Sequence, residues 1–208
     1  MVRERVPRAV VGRLPGYYRY LCNLEKMGLI RISSQQLGER MGLTASQIRQ
    51  DINCFGGFGQ QGYGYNVAEL RRRIGEILGL GPSYHCVVVG AGNIGQAVAN
   101  YSAFRAMGFE VKALFDMRAS AHEETRGGLP VLPIEQLDGY LDEHPVDIGV
   151  IAVPEQAAQA ICDRLVKGGV NAIWNFAPID LDVPDRVTLK SVHLADALLE
   201  LSYYMANP

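Results

Sequence analysis

His85-Cys86-Val87-Val88-Val89-Gly90-Ala91-Gly92-Asn93-Ile94-Gly95 sets the architecture of this chain. Its first five residues are a short, mostly apolar run of the kind that forms a buried strand. The last six spell G-x-G-x-x-G where that strand would give way to a helix. Each glycine then has a physical task. Gly90 makes the tight turn, Gly92 lets the backbone approach a pyrophosphate, and Gly95 lets helix and strand pack closely. The helix N-terminus turns its unpaired N–H groups toward the phosphates. Alone the motif is weak, and its setting carries the weight. Glu110 to Phe115 reads as the next strand, and Asp116 ends it 21 residues after Gly95. A carboxylate there can bind both ribose hydroxyls of NAD(H) and repels the 2′-phosphate of NADP(H). Arg118 keeps NADP(H) open, and a glycine-rich turn holding no ligand is the plain alternative.

Downstream, strand and helix patterns alternate. Ile94 to Met107 is expected as one helix, Asp147 to Val153 as a strand and Glu155 to Lys167 as a helix. Asn171 to Asn175 and Val187 to Val192 read as two more strands. Such alternation calls for a parallel sheet covered on both faces. Open sheets of this kind bind ligands at the carboxyl ends of their strands. Val153 and Pro154, after Ala152, and Asn175-Phe176-Ala177-Pro178 are therefore expected to wall a nicotinamide pocket, or else to be ordinary proline turns. In a last helix, about Asp196 to Ala206, the positions Leu194, Ala197, Leu198, Leu201 and Met205 fit one buried face.

Upstream the pattern changes. From Pro15, Tyr17, Tyr18, Leu21, Leu24 and Met27 recur at helical spacing, and Gly28 stands at the expected C-cap. A short β-like run, Leu29 to Ile32, follows. Ser33 with Gln36 and Thr44 with Gln47 are capping boxes that open two short helices on either side of Met41-Gly42-Leu43. A longer helix before two short ones gives a helix-turn-helix pattern. Phe55 to Tyr65 holds five glycines and four aromatics, suited to the β-hairpin of a wing, although alone it would read as a flexible loop. Asn66 with Glu69 opens a fourth helix to about Leu80, and Gly81-Pro82 breaks the chain. The expected fold class is α/β: an N-terminal winged-helix DNA-binding domain (1–81), a Rossmann-type parallel-sheet domain (82–193) and a C-terminal helix (194–208).

Charge divides along the same line. Residues 1–80 carry 12 Lys+Arg against 6 Asp+Glu, whereas residues 81–208 carry 8 against 16. Only the front half is therefore suited to a polyanion. On the helix placed to enter a major groove, Thr44, Ser46, Gln47, Arg49, Gln50 and Asn53 offer donors and acceptors. Arg49 can fork onto a guanine, and Gln47 or Gln50 can pair with an adenine. Arg13, Arg19 and Arg71 to Arg73 are candidate phosphate contacts or structural charges.

Composition excludes other classes. With 48% apolar and 20% charged residues, the chain reads as soluble, and no apolar run approaches the roughly 18 residues of a membrane span. MVRERVPRAVVGRLPG lacks the apolar block of a secretion signal. Cys22, Cys54, Cys86 and Cys162 form no CxxC pair, which argues for a reducing cytoplasm and against a disulfide scaffold or a metal site. Cys54 could serve as a thiol switch, but a packed cysteine is the simpler reading. None of His85, His122, His144 and His193 stands out as a braced catalytic base, and no substrate domain follows the Rossmann segment. Ligand binding without turnover is expected.

Taken together, Ser33-Ser34-Gln35-Gln36-Leu37-Gly38, Gln47-Ile48-Arg49-Gln50-Asp51, Phe58-Gly59 through Gly62-Tyr63-Gly64-Tyr65, Gly90 to Gly95 and Asn175 to Pro178 carry a resemblance. The chain resembles the Rex family of redox-sensing transcriptional repressors over essentially its full length. The resemblance implies a homodimer on palindromic double-stranded operator DNA. NADH would compete with NAD⁺ for the Rossmann site and release the DNA. It implies also that the C-terminal helix is exchanged between subunits. In the family an arginine of the first helix, a tyrosine of the Rossmann helix and an aspartate before the C-terminal helix form a state-dependent contact. Arg19 and Tyr101 match the first two, while the third position is His193, a departure. A neutral His193 can accept a hydrogen bond from Arg19 and a protonated one is repelled, so the contact would weaken at low pH. Gln50 and Gln61, both DNA-binding candidates, stand where the family commonly has basic residues, which predicts fewer phosphate contacts or an altered operator. Arg118 replaces a second acidic residue often found there. Two readings compete: a small NAD-dependent oxidoreductase with a dimerising front domain, and a DNA-binding regulator that senses a CoA-type nucleotide.

Overall fold

In the computed structural model, which describes residues 6–56, 63–119, 123–125 and 127–207, the chain forms two units, Met1–Pro82 and Ser83–Pro208. The first runs α1 (Arg8–Lys26), β1 (Arg31–Ile32), α2 (Ser34–Met41), α3 (Ala45–Asn53), β2 (Tyr65–Asn66) and α4 (Val67–Ile77). α1 starts well before Pro15, the expected first residue. A proline inside a helix costs about 3 kcal/mol, partly through a missing bond to the carbonyl four residues back. Here that carbonyl belongs to Val11, which is exposed, so water can serve it. The longer helix buries Val10 and Leu14 in line with Tyr17, Leu21 and Leu24. At about 1.5–3 kcal/mol for each fully buried aliphatic side chain, those two offset the proline.

The capping residues behave as their chemistry demands. Ser33 Oγ accepts from the Gln36 N–H at 3.1 Å, and the Ser33 N–H donates to Gln36 Oε1 at 3.0 Å. Thr44 Oγ1 accepts from the Gln47 N–H at 3.1 Å, and Asn66 Oδ1 from the Glu69 N–H at 2.9 Å. α2 ends on Gly42 in the left-handed region (φ 66°), and the turn to α3 is tight because Gly38 has no side chain. A Cβ on Gly38 would stand 2.5 Å from the Leu43 carbonyl oxygen. β1 and β2 pair antiparallel, Arg31 opposite Asn66 and Ile32 opposite Tyr65. Phe58, Gly59, Gln61 and Gly62 of the expected wing, and His122, lie outside the described residues. Tyr17, Leu21, Leu37, Ile48, Leu70 and Ile74 centre the core of this unit.

The second unit runs β3 (Tyr84–Val89), α5 (Asn93–Ala99), α6 (Ser102–Ala106), β4 (Phe109–Asp116), β5 (Glu123–Glu124) and β6 (Pro130–Pro133). A 3-10 turn (Ile134–Gln136) follows, then α7 (Leu137–Glu143), β7 (Ile148–Ile151), α8 (Glu155–Lys167), β8 (Ala172–Asn175), β9 (Thr188–Ser191) and α9 (Leu194–Ala206). Among the described residues the sheet has the order β5-β6-β4-β3-β7-β8-β9. Every pairing is parallel except that of the short edge strand β5. This is the doubly wound order, which reverses between β3 and β7 and leaves a crevice at their carboxyl ends. Val87 and Val89 face one core and Val88 the other, so β3 is apolar throughout.

Two expectations need correction. Residues 94–107 form two helices, broken at Asn100 and Tyr101. The Asn100 Nδ2 donates to the Gln96 carbonyl at 2.8 Å and its Oδ1 accepts from Thr125 Oγ1 at 3.4 Å, so a side chain with a distant partner competes with the helix ladder. The region 123–143, left without elements, contains β5, β6 and α7. Within the single chain α9 is uncovered: Leu194, Leu198, Leu199, Leu201, Tyr203, Tyr204 and Met205 are all exposed.

Candidate functional site

At the carboxyl ends of β3, β4 and β7 lies a cavity of about 440 Å³, within the ordinary size range of small-molecule sites. Gly90, Ala91, Gly92, Asp116, Val153 and Pro154 all line it. The three glycines are needed for different reasons. Gly90 adopts φ +103°, and a Cβ there would lie 2.3 Å from the Ala152 carbonyl oxygen. A Cβ on Gly95 would lie 1.8 Å from the Gly90 oxygen, so strand and helix could not pack. Gly92 is the opposite case: its Cβ would meet nothing within 4 Å, although the residue is on the cavity wall. Internal packing therefore does not demand a glycine at 92, and its absent side chain leaves the cavity wall open.

Asp116 is fastened to that turn. Its Oδ2 accepts from the Ala91 N–H at 2.7 Å and its Oδ1 from the Arg118 N–H at 2.8 Å. A carboxylate offers about four lone-pair sites, so capacity is left for ribose hydroxyls. Phe115, Val131, Ile134 and Ile161 supply apolar wall suited to an aromatic base. Sequence reasoning missed Val131 and Ile134, which sit in and after a four-residue strand bounded by prolines. Ala157 and Ile161 also line the cavity, and their i,i+4 spacing on α8 was the available signal.

The remaining expected nucleotide residues stand apart. Asn93, Ile94 and Gly95 form the first turn of α5 beside the cavity. Asn175 to Pro178 end β8 and do not line it. Asn175 is fully buried; its Nδ2 donates to the Ala177 and Ile179 carbonyls and to Ser191 Oγ, and its Oδ1 accepts from the Ala177 N–H. It braces its own loop, and Ala177 is buried with it. Phe176 joins a file of rings with Trp174 (4.6 Å), Phe104 (5.6 Å from Trp174) and exposed Tyr101 (4.8 Å from Phe104). His193 precedes α9, its Nε2 3.8 Å from Asp180 Oδ1. The buried Cys86 thiol is pushed up to about 11 by desolvation, which leaves it unreactive. Among the described residues no cluster of His, Cys, Asp or Glu could hold a metal, and no helix is long and apolar enough to cross a membrane.

In the first unit α3 buries Ile48, Asp51 and Ile52. Thr44, Ser46, Arg49, Gln50 and Asn53 are exposed, and Gln47 is half-buried. Arg49 Nη1 donates to Ser34 Oγ at 3.0 Å, which holds the guanidinium near the start of α2. Asp51 accepts from Arg13 Nε and Nη2 and from the Tyr17 hydroxyl, each at 2.7 Å. Burial opposes ionisation of Asp51, but these bonds outweigh it and hold the carboxyl below its ordinary range. Arg13 therefore has a structural partner within its own unit. The same holds for Arg71 against Glu25 (2.6 Å), Arg72 against Glu69 and Glu76, and Arg73 against Glu69 (3.1 Å). Arg19 is exposed on α1, and Gln61 lies outside the described residues.

Residues 81–179 match the family described as "CoA binding domain", and residues 5–53 the family "Putative DNA-binding protein N-terminus". The chain is 52% identical to the redox-sensing transcriptional repressor Rex of Clostridium beijerinckii, over 97% of this chain and 96% of that one. It is 50% identical to the Rex of Clostridium acetobutylicum, over 96% and 94%. Among solved structures it is similar to RSP in complex with β-NAD⁺ and operator DNA (50% identity, TM-score 0.91, 97% of this chain and 93% of that). RSP in complex with β-NADH is also similar (46%, TM-score 0.89, 97% and 95%). A third structure, of RSP described as a Rex-family repressor, is 47% identical with a TM-score of 0.89, covering 97% and 94%. With both units matched from end to end at about half identity, this chain belongs to the Rex family of redox-sensing transcriptional repressors.

Proposed function

We propose that this chain grips palindromic operator DNA through α3 when NADH is low and is released when NADH occupies the cavity beside Gly92. The observation that carries the reading is the open space in front of Gly92, on the same wall as an Asp116 carboxylate with acceptor sites to spare. RSP, with which half the residues are identical, binds β-NAD⁺ with operator DNA and binds β-NADH. Gly90 to Gly92 and the first turn of α5 would hold the pyrophosphate, Asp116 the ribose, and Val153 and Pro154 the nicotinamide side. NAD⁺ and NADH differ at the nicotinamide ring, which is cationic when oxidised and neutral when reduced. A tenfold change in operator affinity needs a coupling of about 1.4 kcal/mol between the two sites. Arg19, Tyr101 and His193 are the residues assigned to that coupling, and Arg13, Thr44, Ser46, Gln47, Arg49, Gln50, Asn53 and Gln61 those assigned to DNA. The working form is a cytoplasmic homodimer in which a second copy covers the apolar α9. Nucleotide binding serves regulation and no turnover.

A second reading deserves its test because residues 81–179 match a CoA-binding family. Asp116 opposes it, since a carboxylate repels the phosphorylated ribose of CoA. The deciding experiment is a mobility shift on the palindromic operator of the gene's own promoter, titrated with NADH against fixed NAD⁺ and, separately, with CoA. Release by NADH alone supports the proposal. Release by CoA and not NADH would replace the ligand, and NADH oxidation by an added substrate would replace the function.

A further inference from the structure

We infer that Arg31 is a DNA-backbone contact held at the root of the wing, where it clamps a phosphate beside the bases read by α3; this rests on the repressor reading above. Arg31 opens β1 with its side chain exposed, while Ile32 enters the core. Its Nη1 donates to the Tyr63 carbonyl at 3.2 Å, and its guanidinium carbon lies 5.9 Å from the centroid of the exposed Tyr63 ring. Both anchors are neutral, so they fix the side chain without cancelling its charge. Arg13, Arg71, Arg72 and Arg73, by contrast, are each neutralised by a carboxylate. Among the described residues Arg31 has no ion pair. Of its five N–H donors one is spent on Tyr63, and the planar fork that remains matches a phosphate.

Its position fits the role. Two residues on, Ser33 caps α2, and the adjacent Ser34 accepts from Arg49 of the reading helix. Arg31, Ser34 and Arg49 therefore trace one path from the wing root to α3. Phosphate contacts beside base contacts are what set the register of a reading helix on its duplex.

The test measures binding of the full chain to a palindromic duplex, selected by the unsubstituted protein from a random library, over about 50–200 mM salt. Losing one phosphate contact per protomer lowers the slope of log K against log salt by about 0.9, hence by about 1.8 for a symmetric dimer. With the intercept unchanged, R31A then binds about 60-fold more weakly at 0.1 M salt. R31K keeps the slope, and both variants keep the melting temperature and the affinity for NADH. An R31A protein whose binding weakens at an unchanged slope, or whose binding does not weaken, overturns the inference, because Arg31 would then only brace the wing. So does an R31K protein that behaves as R31A. If the unsubstituted chain selects no duplex at all, the repressor reading falls and takes this inference with it, before any variant is made.

Discussion

Replacing Asp51 with alanine should destabilise the first unit and leave the second untouched. Asp51 is 3% exposed and accepts three hydrogen bonds, two from Arg13 and one from Tyr17. Removing one partner of a buried ion pair costs about 3–5 kcal/mol, because the other charge is left uncompensated. The Arg13 side chain is 26% exposed and can be partly rescued by water, which places the expected loss near about 3 kcal/mol. For a unit of this size about 4–8 °C of melting temperature accompanies each kcal/mol, so a fall of about 12–24 °C is expected. The assay has a built-in control: the one tryptophan, Trp174, belongs to the second unit, so its fluorescence follows that unit, and a transition seen by circular dichroism but not by Trp174 fluorescence belongs to the first. The pH dependence has a fixed sign. The Asp51 carboxyl is held below its ordinary value, so its stabilisation is complete above the unfolded pKa of about 3.9 and fades as pH falls through the lower folded value. The gap between wild type and Asp51→Ala should be constant from about pH 5 to 8 and close in acid. A triple change to apolar residues at Arg13, Tyr17 and Asp51 should recover most of the loss. An Asp51→Ala protein that melts with the wild type, or a gap that persists undiminished in acid, would refute the reasoning.

Other perturbations separate packing from binding. Gly95→Ala should lower the Trp174 unfolding transition, since its Cβ would meet the Gly90 oxygen at 1.8 Å, whereas Gly92→Ala should fold normally and lose NADH affinity, as read by calorimetry. Asp116→Ala should weaken NADH more than tenfold while improving NADPH relative to it, and equal losses for both would deny the ribose role. Leu198→Glu with Leu201→Glu on the exposed α9 should turn a dimer into a monomer in sedimentation experiments at micromolar concentration, and an unchanged mass would deny that a second copy covers this helix.

What could be read from the sequence was whatever depends on neighbours in the chain. Ser33, Thr44 and Asn66 cap their helices through bonds three residues long, so α2, α3 and α4 begin where side-chain chemistry predicts. α8 was legible over its full length for a similar reason: its buried Ala158, Ile161, Cys162 and Leu165 repeat at helical spacing. The α5–α6 break was not legible, because Asn100 leaves the helix for Thr125, 25 residues away. β6 escaped because Pro130 and Pro133 look like loop residues until the parallel pairing of Val131 with Leu114 is known. In the site, the glycine turn and Asp116 were visible, being set by local geometry. The bracing role of Asn175 was not visible, because a polar side chain at a strand end reads the same whether it faces a cavity or holds its own loop.

Charge tells the same story in the first unit, and α9 extends it beyond a single chain. An excess of arginine marked the front half as the part suited to DNA, yet much of that excess is paired inside the unit. Arg13 and Arg71 to Arg73 answer carboxylates, whereas Arg31 and Arg49 answer neutral oxygens and keep their charge available. A count of charges cannot make that distinction, because it depends on which residues a fold brings within 3 Å of one another. In α9 the apolar residues were assigned to one buried face, and the resemblance implied a helix exchanged between subunits. Leu199, Tyr203 and Tyr204 lie off that stripe and are as exposed as Leu198 and Met205 on it. Apolar residues thus cover most of the helix surface, Asp196 and Glu200 excepted, and such a helix is suited to burial on more than one side. Its sequence therefore answers to a core that a single copy does not contain, and the proposed dimer is the smallest assembly that can supply it.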